Sequence, residues 1–268
     1  VRVTSAATTN YNEAYKDYTL TIVAAGSADF SITLDKDTYT YDGTEKKPTP
    51  TVKVGTTTLT AGTDYDVSYK DNINAGTATV TITGKGNYAG SVGSKTFTIN
   101  KANGYVNLSA TAESVQYGTA SKTFNITSHH GGALSIAQTT STGATLSLVG
   151  TTVTISSIST LPAGTKIIVR VTSAATVNYN SAYKDYTLTI TAVGSASFDI
   201  TLDNDTFEYD GTEKEPRVTI KVDGKTLVAG TDYDVSYRDN INSGTATVTI
   251  TGKGNYAGST GTKEFTIT

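Results

Sequence analysis

Apolar and polar residues alternate with a period of two along most of this chain. Ala78, Val80 and Ile82 are interleaved with Thr77, Thr79, Thr81 and Thr83, and the same rhythm runs through Phe30–Ile32–Leu34, Val52–Val54 and Tyr65–Val67–Tyr69. A period of two turns one face of an extended strand inward and leaves the other in water. Turn residues break the rhythm at Asp42-Gly43, Gly55-Thr56, 61–64 and 71–74. Over 26–100 this predicts about seven short strands, the number a two-sheet sandwich uses. The stretch 101–192 reads likewise: Val106 and Leu108, Phe124 and Ile126, Leu146 and Leu148, Val153 and Ile155, then Ile167, Val169 and Val171 alternate with polar residues. No window carries a helical period. The expected fold class is all-β, tandem sandwich domains joined end to end.

The pattern also recurs on a longer scale. Tyr41-Asp42-Gly43-Thr44-Glu45-Lys46 returns as Tyr209-Asp210-Gly211-Thr212-Glu213-Lys214, an offset of 168 that aligns residues 1–100 with 169–268 without a gap. About 23 positions differ, most of them at places expected to be turns or exposed, such as Gly55/Asp223, Thr56/Gly224 and Thr57/Lys225. One hairpin is used repeatedly: 75–99, its copy 243–267, and a looser cousin at 163–190 whose second copy opens the chain at Val1. The reading divides the chain into 1–25, the last two strands (Val1–Ser5 and Tyr15–Ile22) of a truncated domain; 26–100, one sandwich; 101–192, a second type; and 193–268, a copy of the first type. The joints, Val23–Ser27 and Asn100–Gly104, are a few residues long, which favours a semi-rigid rod.

Composition narrows the function classes. Cysteine is absent, so there is no disulfide, thiolate nucleophile or Cys metal site. Methionine is absent too, and without an initiator Met or leader the chain reads as an internal segment of a longer protein. Threonine makes up about a fifth of the residues, far above ordinary usage. A net charge of −3 and a pI near 5.4 give no basic stripe for nucleic acid, and no apolar run spans a membrane.

The segment carrying Tyr41-Asp42-Gly43-Thr44, Gly62-Thr63-Asp64-Tyr65, Ser68-Tyr69-Lys70-Asp71-Asn72, Gly76-Thr77-Ala78, Gly84-Lys85-Gly86-Asn87-Tyr88 and Phe97-Thr98-Ile99 resembles the YDG/MBG-type domains of the bacterial Ig-like group. The middle segment, with Leu108-Ser109-Ala110, Gly132-Ala133-Leu134, 150–155, Ala163-Gly164-Thr165 and 171–175, is similar to the group-2 bacterial Ig-like domain of adhesins. The resemblance implies tandem extracellular Ig-like sandwiches on a bacterial cell surface or cell wall, and brings no catalytic residues with it.

Candidate chemistry is sparse. His129 and His130 are the only histidines; adjacent residues on an extended chain point to opposite sides, so a solvated loop is the reading, not a metal site. Neither a G-x-S-x-G elbow nor a phosphate-binding G-x-x-x-x-G-K-[ST] loop occurs. Acidic residues gather at Asp35, Asp37 and Asp42 and at Asp203, Asp205, Glu208 and Asp210, where calcium between domains is an alternative to plain turn roles. Asp64 and Asp66, with Asp232 and Asp234, read as turn and strand-edge residues. Among 17 tyrosines, Tyr65 and Tyr69 share a face and read as core, with sugar stacking as the alternative, and Tyr88 is the candidate whose hydroxyl ties down a backbone loop. The threonine row 77–83 reads as a solvent face rather than an ice-binding surface. Nothing in the sequence sets a lysine beside an acid for an isopeptide link. The expected function is a structural repeat of a surface adhesin, stalk or filament. It has no catalytic, cofactor or metal residues, and its partners are neighbouring repeats or further copies in a fibre. The alternative is a module binding carbohydrate or a host protein.

Overall fold

The structure, a computed structural model, describes residues 1–22 and 27–268; of the expected joint Val23–Ser27, all but Ser27 lies outside the described residues. The chain divides into two compact units, Val1–Ala102 with Val177–Tyr179, and Asn103–Thr176 with Asn180–Thr268.

The first unit begins with an antiparallel hairpin of β1 (Arg2–Ser5) and β2 (Ala14–Asp17), in register from Arg2↔Asp17 to Ser5↔Ala14. Arg2 grips Asp17 with two hydrogen bonds, 2.7 and 2.8 Å. The second strand was expected to run to Ile22; it stops at Asp17. In the matching hairpin of the second unit those residues pair with a further strand that this hairpin lacks, and Val1, Val3, Tyr18, Leu20 and Ile22 are exposed.

Seven strands follow, as the alternation predicts: β3 (Ser31–Leu34), β4 (Thr38–Thr40), β5 (Pro50–Val54), β6 (Thr57–Thr58), β7 (Tyr65–Lys70), β8 (Gly76–Gly84) and β9 (Val92–Asn100). They form a three-stranded sheet, β3-β5-β6, and a four-stranded sheet, β4-β9-β8-β7. All pairs are antiparallel except β4 with β9, which run parallel from Thr38↔Thr98 to Thr40↔Asn100. The inward positions meet as one core of Val52, Leu59, Tyr65, Ala78, Val80, Ile82, Phe97 and Ile99. The threonines of β8 face outward against Thr96 and Thr98 of β9 and Ser68 of β7, so β-branched side chains supply strand propensity on the wet face.

The second unit holds two sandwiches. The first has eight strands, β10 (Val106–Leu108), β11 (Ala112–Gln116), β12 (Ser121–His129), β13 (Leu134–Gln138), β14 (Thr145–Val149), β15 (Thr152–Ser156), β16 (Lys166–Ser173) and β17 (Ala182–Thr191), arranged as β10-β12-β15-β14 over β11-β17-β16-β13. Here β11 and β17 are parallel over five pairs, Ala112↔Thr187 to Gln116↔Thr191. The next repeats the seven-strand plan with β18 (Asp199–Leu202), β19 (Thr206–Phe207), β20 (Val218–Val222), β21 (Lys225–Thr226), β22 (Tyr233–Arg238), β23 (Gly244–Gly252) and β24 (Thr260–Ile267), β19 and β24 being parallel over two pairs. No helix among the described residues is long and apolar enough to cross a membrane.

Candidate functional site: the Asn-Tyr loops

The dipeptide Asn-Tyr occurs four times, at 10–11, 87–88, 178–179 and 255–256, always in the loop that joins two antiparallel strands. Two of these loops share three contacts in different surroundings. In the first unit, the side-chain oxygen of Asn178 accepts the backbone N–H of Ala75 at 2.9 Å, and its amide donates to Asn74 Oδ1 at 3.0 Å. The backbone oxygen of Asn178 accepts the N–H of Ala102 at 2.9 Å. The ring of Tyr179 stands edge-on to Tyr41, centroids 5.4 Å apart.

In the second unit the Gly254–Tyr256 turn links β23 to β24 and repeats the arrangement. Asn255 Oδ1 accepts the N–H of Ala163 at 2.7 Å, and the Asn255 backbone oxygen accepts the N–H of Val193 at 2.8 Å. The Tyr256 ring stands edge-on to Tyr117 at 6.0 Å, and Lys225 donates to the Tyr117 hydroxyl at 2.9 Å. Ser259 fastens the same joint, its hydroxyl donating to Val193 O at 2.8 Å and accepting from Ala196 N–H at 2.9 Å. Gly252 makes the tight turn possible, since a Cβ there would collide with the backbone oxygen of Tyr256. One asparagine thus satisfies two backbone donors at once, and an edge-to-face aromatic pair closes over them.

Sandwiches of this topology, with first-edge and last strands paired in parallel, recur three times along the sequence. The chain is a tandem series of β-sandwiches.

No family model matches the chain, and no curated protein does. Among solved structures it is similar to a four-domain fragment of Drosophila N-cadherin, at 10% identity over 90% of this chain and 75% of that one, TM-score 0.37. Others are the titin domains z1z2 in complex with telethonin, 15% over 63% and 97%, TM-score 0.33, and the S-layer protein rSbsC(31-844), 16% over 91% and 40%, TM-score 0.29.

The other candidate residues have local roles. His130 is not solvated as expected: it is buried, accepting the Tyr105 N–H on Nδ1 at 3.1 Å and donating from Nε2 to Ala174 O at 2.8 Å. Asp35 and Asp203 accept backbone N–H groups of Thr49 and Arg217, and Asp37 and Asp205 accept the hydroxyls of the threonines that follow them. Asp42 accepts Thr44 N–H at 2.8 Å and the ammonium of Lys46, whose side chain is buried; Asp210, Thr212 and Lys214 repeat the knot. The lysine first, then the threonine, hold both carboxyls far below the ordinary carboxylate range. A lysine is therefore set beside an acid, contrary to expectation, as an ion pair within one loop. Among the described residues no group of three acidic or histidine side chains is placed to hold a metal. Asp64 and Asp232 accept the N–H of Thr60 and Val228, while Asp66 and Asp234 pair with Lys85 and Lys253 at 3.1 Å.

Tyr65 and Tyr69 point into the core, as read. The hydroxyl that ties down a loop belongs to Tyr69, which donates to Pro48 O at 2.8 Å, and to its copy Tyr237, which donates to Pro216 O at 2.7 Å; Tyr88 instead packs edge-on to Phe30. The Asn-Tyr loops themselves were visible in the sequence only as a recurring dipeptide, whose repetition in two domain types was the available signal.

Proposed function

We propose that this chain is a structural repeat segment of an extracellular bacterial surface protein, an adhesin stalk or filament in which YDG/MBG-type sandwiches (26–100 and 193–268) alternate with a group-2-type sandwich (101–192), after a partial domain (1–25). The observation that carries the reading is the Asn-Tyr clasp, built into loops of two different sandwich types with the same two backbone N–H groups held by the asparagine and the same aromatic pairing. A linear array draws part of its stability and its stiffness from a contact that each element makes with its neighbour. Near identity at an offset of 168 lets such an array lengthen by whole units. The reading includes no enzymatic activity and needs no cofactor; a rise in melting temperature with added calcium, reversed by chelator, would add one.

Small-angle X-ray scattering tests the stalk. A compact chain of this length has a radius of gyration of about 18 Å; a stalk segment gives a value well above that and a maximum dimension of several sandwich lengths, and a value near the compact one overturns the reading. Glycan-array screening addresses the alternative, because saturable binding would make the segment a recognition module.

A further inference from the structure

The inference rests on the repeat reading above and concerns an acceptor for one more Asn-Tyr loop. Tyr41, Asn74 and the N–H of Ala75 receive Asn178 and Tyr179 in the first unit. At the offset of 168 their counterparts are Tyr209, Asn242 and Ser243. The serine for alanine change leaves the backbone N–H in place. The loop that presents these groups has the same geometry in both copies: Asp71 and Asp239 have φ of 58° and 57°, Gly76 and Gly244 φ of 144° and 140°. Asn72 and Asn240 brace it identically, each exchanging hydrogen bonds with the lysine of its Asp-Thr-Lys knot, at 2.8 and 3.0 Å in one copy and 2.8 and 3.1 Å in the other. The acceptor is therefore preformed, and its aromatic element is open: Tyr209 is 54% exposed, whereas Tyr41 under Tyr179 is half-buried.

The matching donor is also present and open. Asn10-Tyr11 stands where Asn178-Tyr179 stands in the other copy of the hairpin, on a turn closed by Thr8 and Tyr11, and Tyr11 is 78% exposed. We infer that Tyr209, Asn242 and the Ser243 N–H form a docking site for the Asn10-Tyr11 loop of a second copy of this chain. The site and the loop differ, so the contact is heterologous and does not close on itself; copies add head to tail. Its area is small, so association in solution is weak and becomes strong only where a covalent connection raises the effective concentration to the millimolar range or beyond.

Sedimentation velocity on the full chain, up to about millimolar concentration, tests this. The wild type is expected to form dimers and longer species as concentration rises, with Tyr11→Ala and Tyr209→Ala each lowering the association constant at least tenfold; Asn10→Ala and Asn242→Ala serve as second variants of each side. Mixing Tyr11→Ala with Tyr209→Ala leaves one intact donor and one intact acceptor, and the mixture should give dimers and nothing longer. A wild type that stays monomeric overturns the inference. So does association that survives Tyr209→Ala, which would point to the exposed apolar face of the β1–β2 hairpin. Either result leaves the scattering test of the stalk reading unaffected.

Discussion

Asn87 and Asn255 occupy the same position in two copies of one sequence; Asn255 reaches across to Ala163 and Val193, and Asn87 is exposed. Replacing Asn255 with alanine strands the Ala163 N–H in a half-buried place, a loss of about 1–2 kcal/mol. The exposed Asn87 should tolerate the same change to within about 0.5 kcal/mol. Calorimetry of the two variants makes the comparison, and equal shifts would count against the clasp. Tyr186 offers a second test. It is fully buried, stacked on Phe124 at 4.0 Å, and donates at 2.8 Å to Glu113, whose other oxygen accepts from Lys122. Burial first, and the glutamate second, push its hydroxyl well above the ordinary tyrosine value. The fold holds the neutral form, so this contribution is complete below about pH 10 and drains away as pH climbs toward the raised value. Glu113 behaves oppositely: Lys122, then Tyr186, hold its carboxyl low, so its share is complete above the ordinary glutamate value and is lost as pH falls through the lowered one. In a spectrophotometric titration Tyr186 should ionise last of the tyrosines, a step that Tyr186→Phe removes at a cost of about 1–2 kcal/mol.

At the scale of elements, the two copies of one hairpin show what alternation can and cannot foretell. The alternating positions Val169 and Val171 were legible, and they are buried together with Tyr186, Leu188 and Ile190 of the next strand. Their counterparts Val1, Val3, Tyr18, Leu20 and Ile22 carry the same pattern and are exposed, because a strand's second neighbour comes from elsewhere in the chain. Hydrogen exchange should show this directly. Amides of 187–190 should be strongly protected and those of 19–22 exchange near the unprotected rate; equal protection would refute the pairing described here. The same limit explains the site residues. Period-two patterning located Tyr65 and Tyr69 in the core, but which tyrosine hydroxyl meets a proline carbonyl depends on how the two sheets face each other. His130 likewise looked solvated because its partners, Tyr105 and Ala174, are 25 and 44 residues away.

Over the whole molecule, three sandwiches of two types share one device: each sets an edge strand beside its last strand in parallel. That choice has a mechanical consequence. Tension applied through the chain ends draws β11 toward one end and β17 toward the other, so their hydrogen bonds slide against each other and must give way together instead of opening one at a time. The same holds for β4 with β9 and for β19 with β24. The length of each parallel patch then ranks the sandwiches by resistance: five pairs in β11–β17, three in β4–β9 and two in β19–β24. Single-molecule stretching should find the last sandwich yielding first and the middle one last. For a segment under load, the strongest link lies between two weaker copies, which extend before it does and return when the load is released.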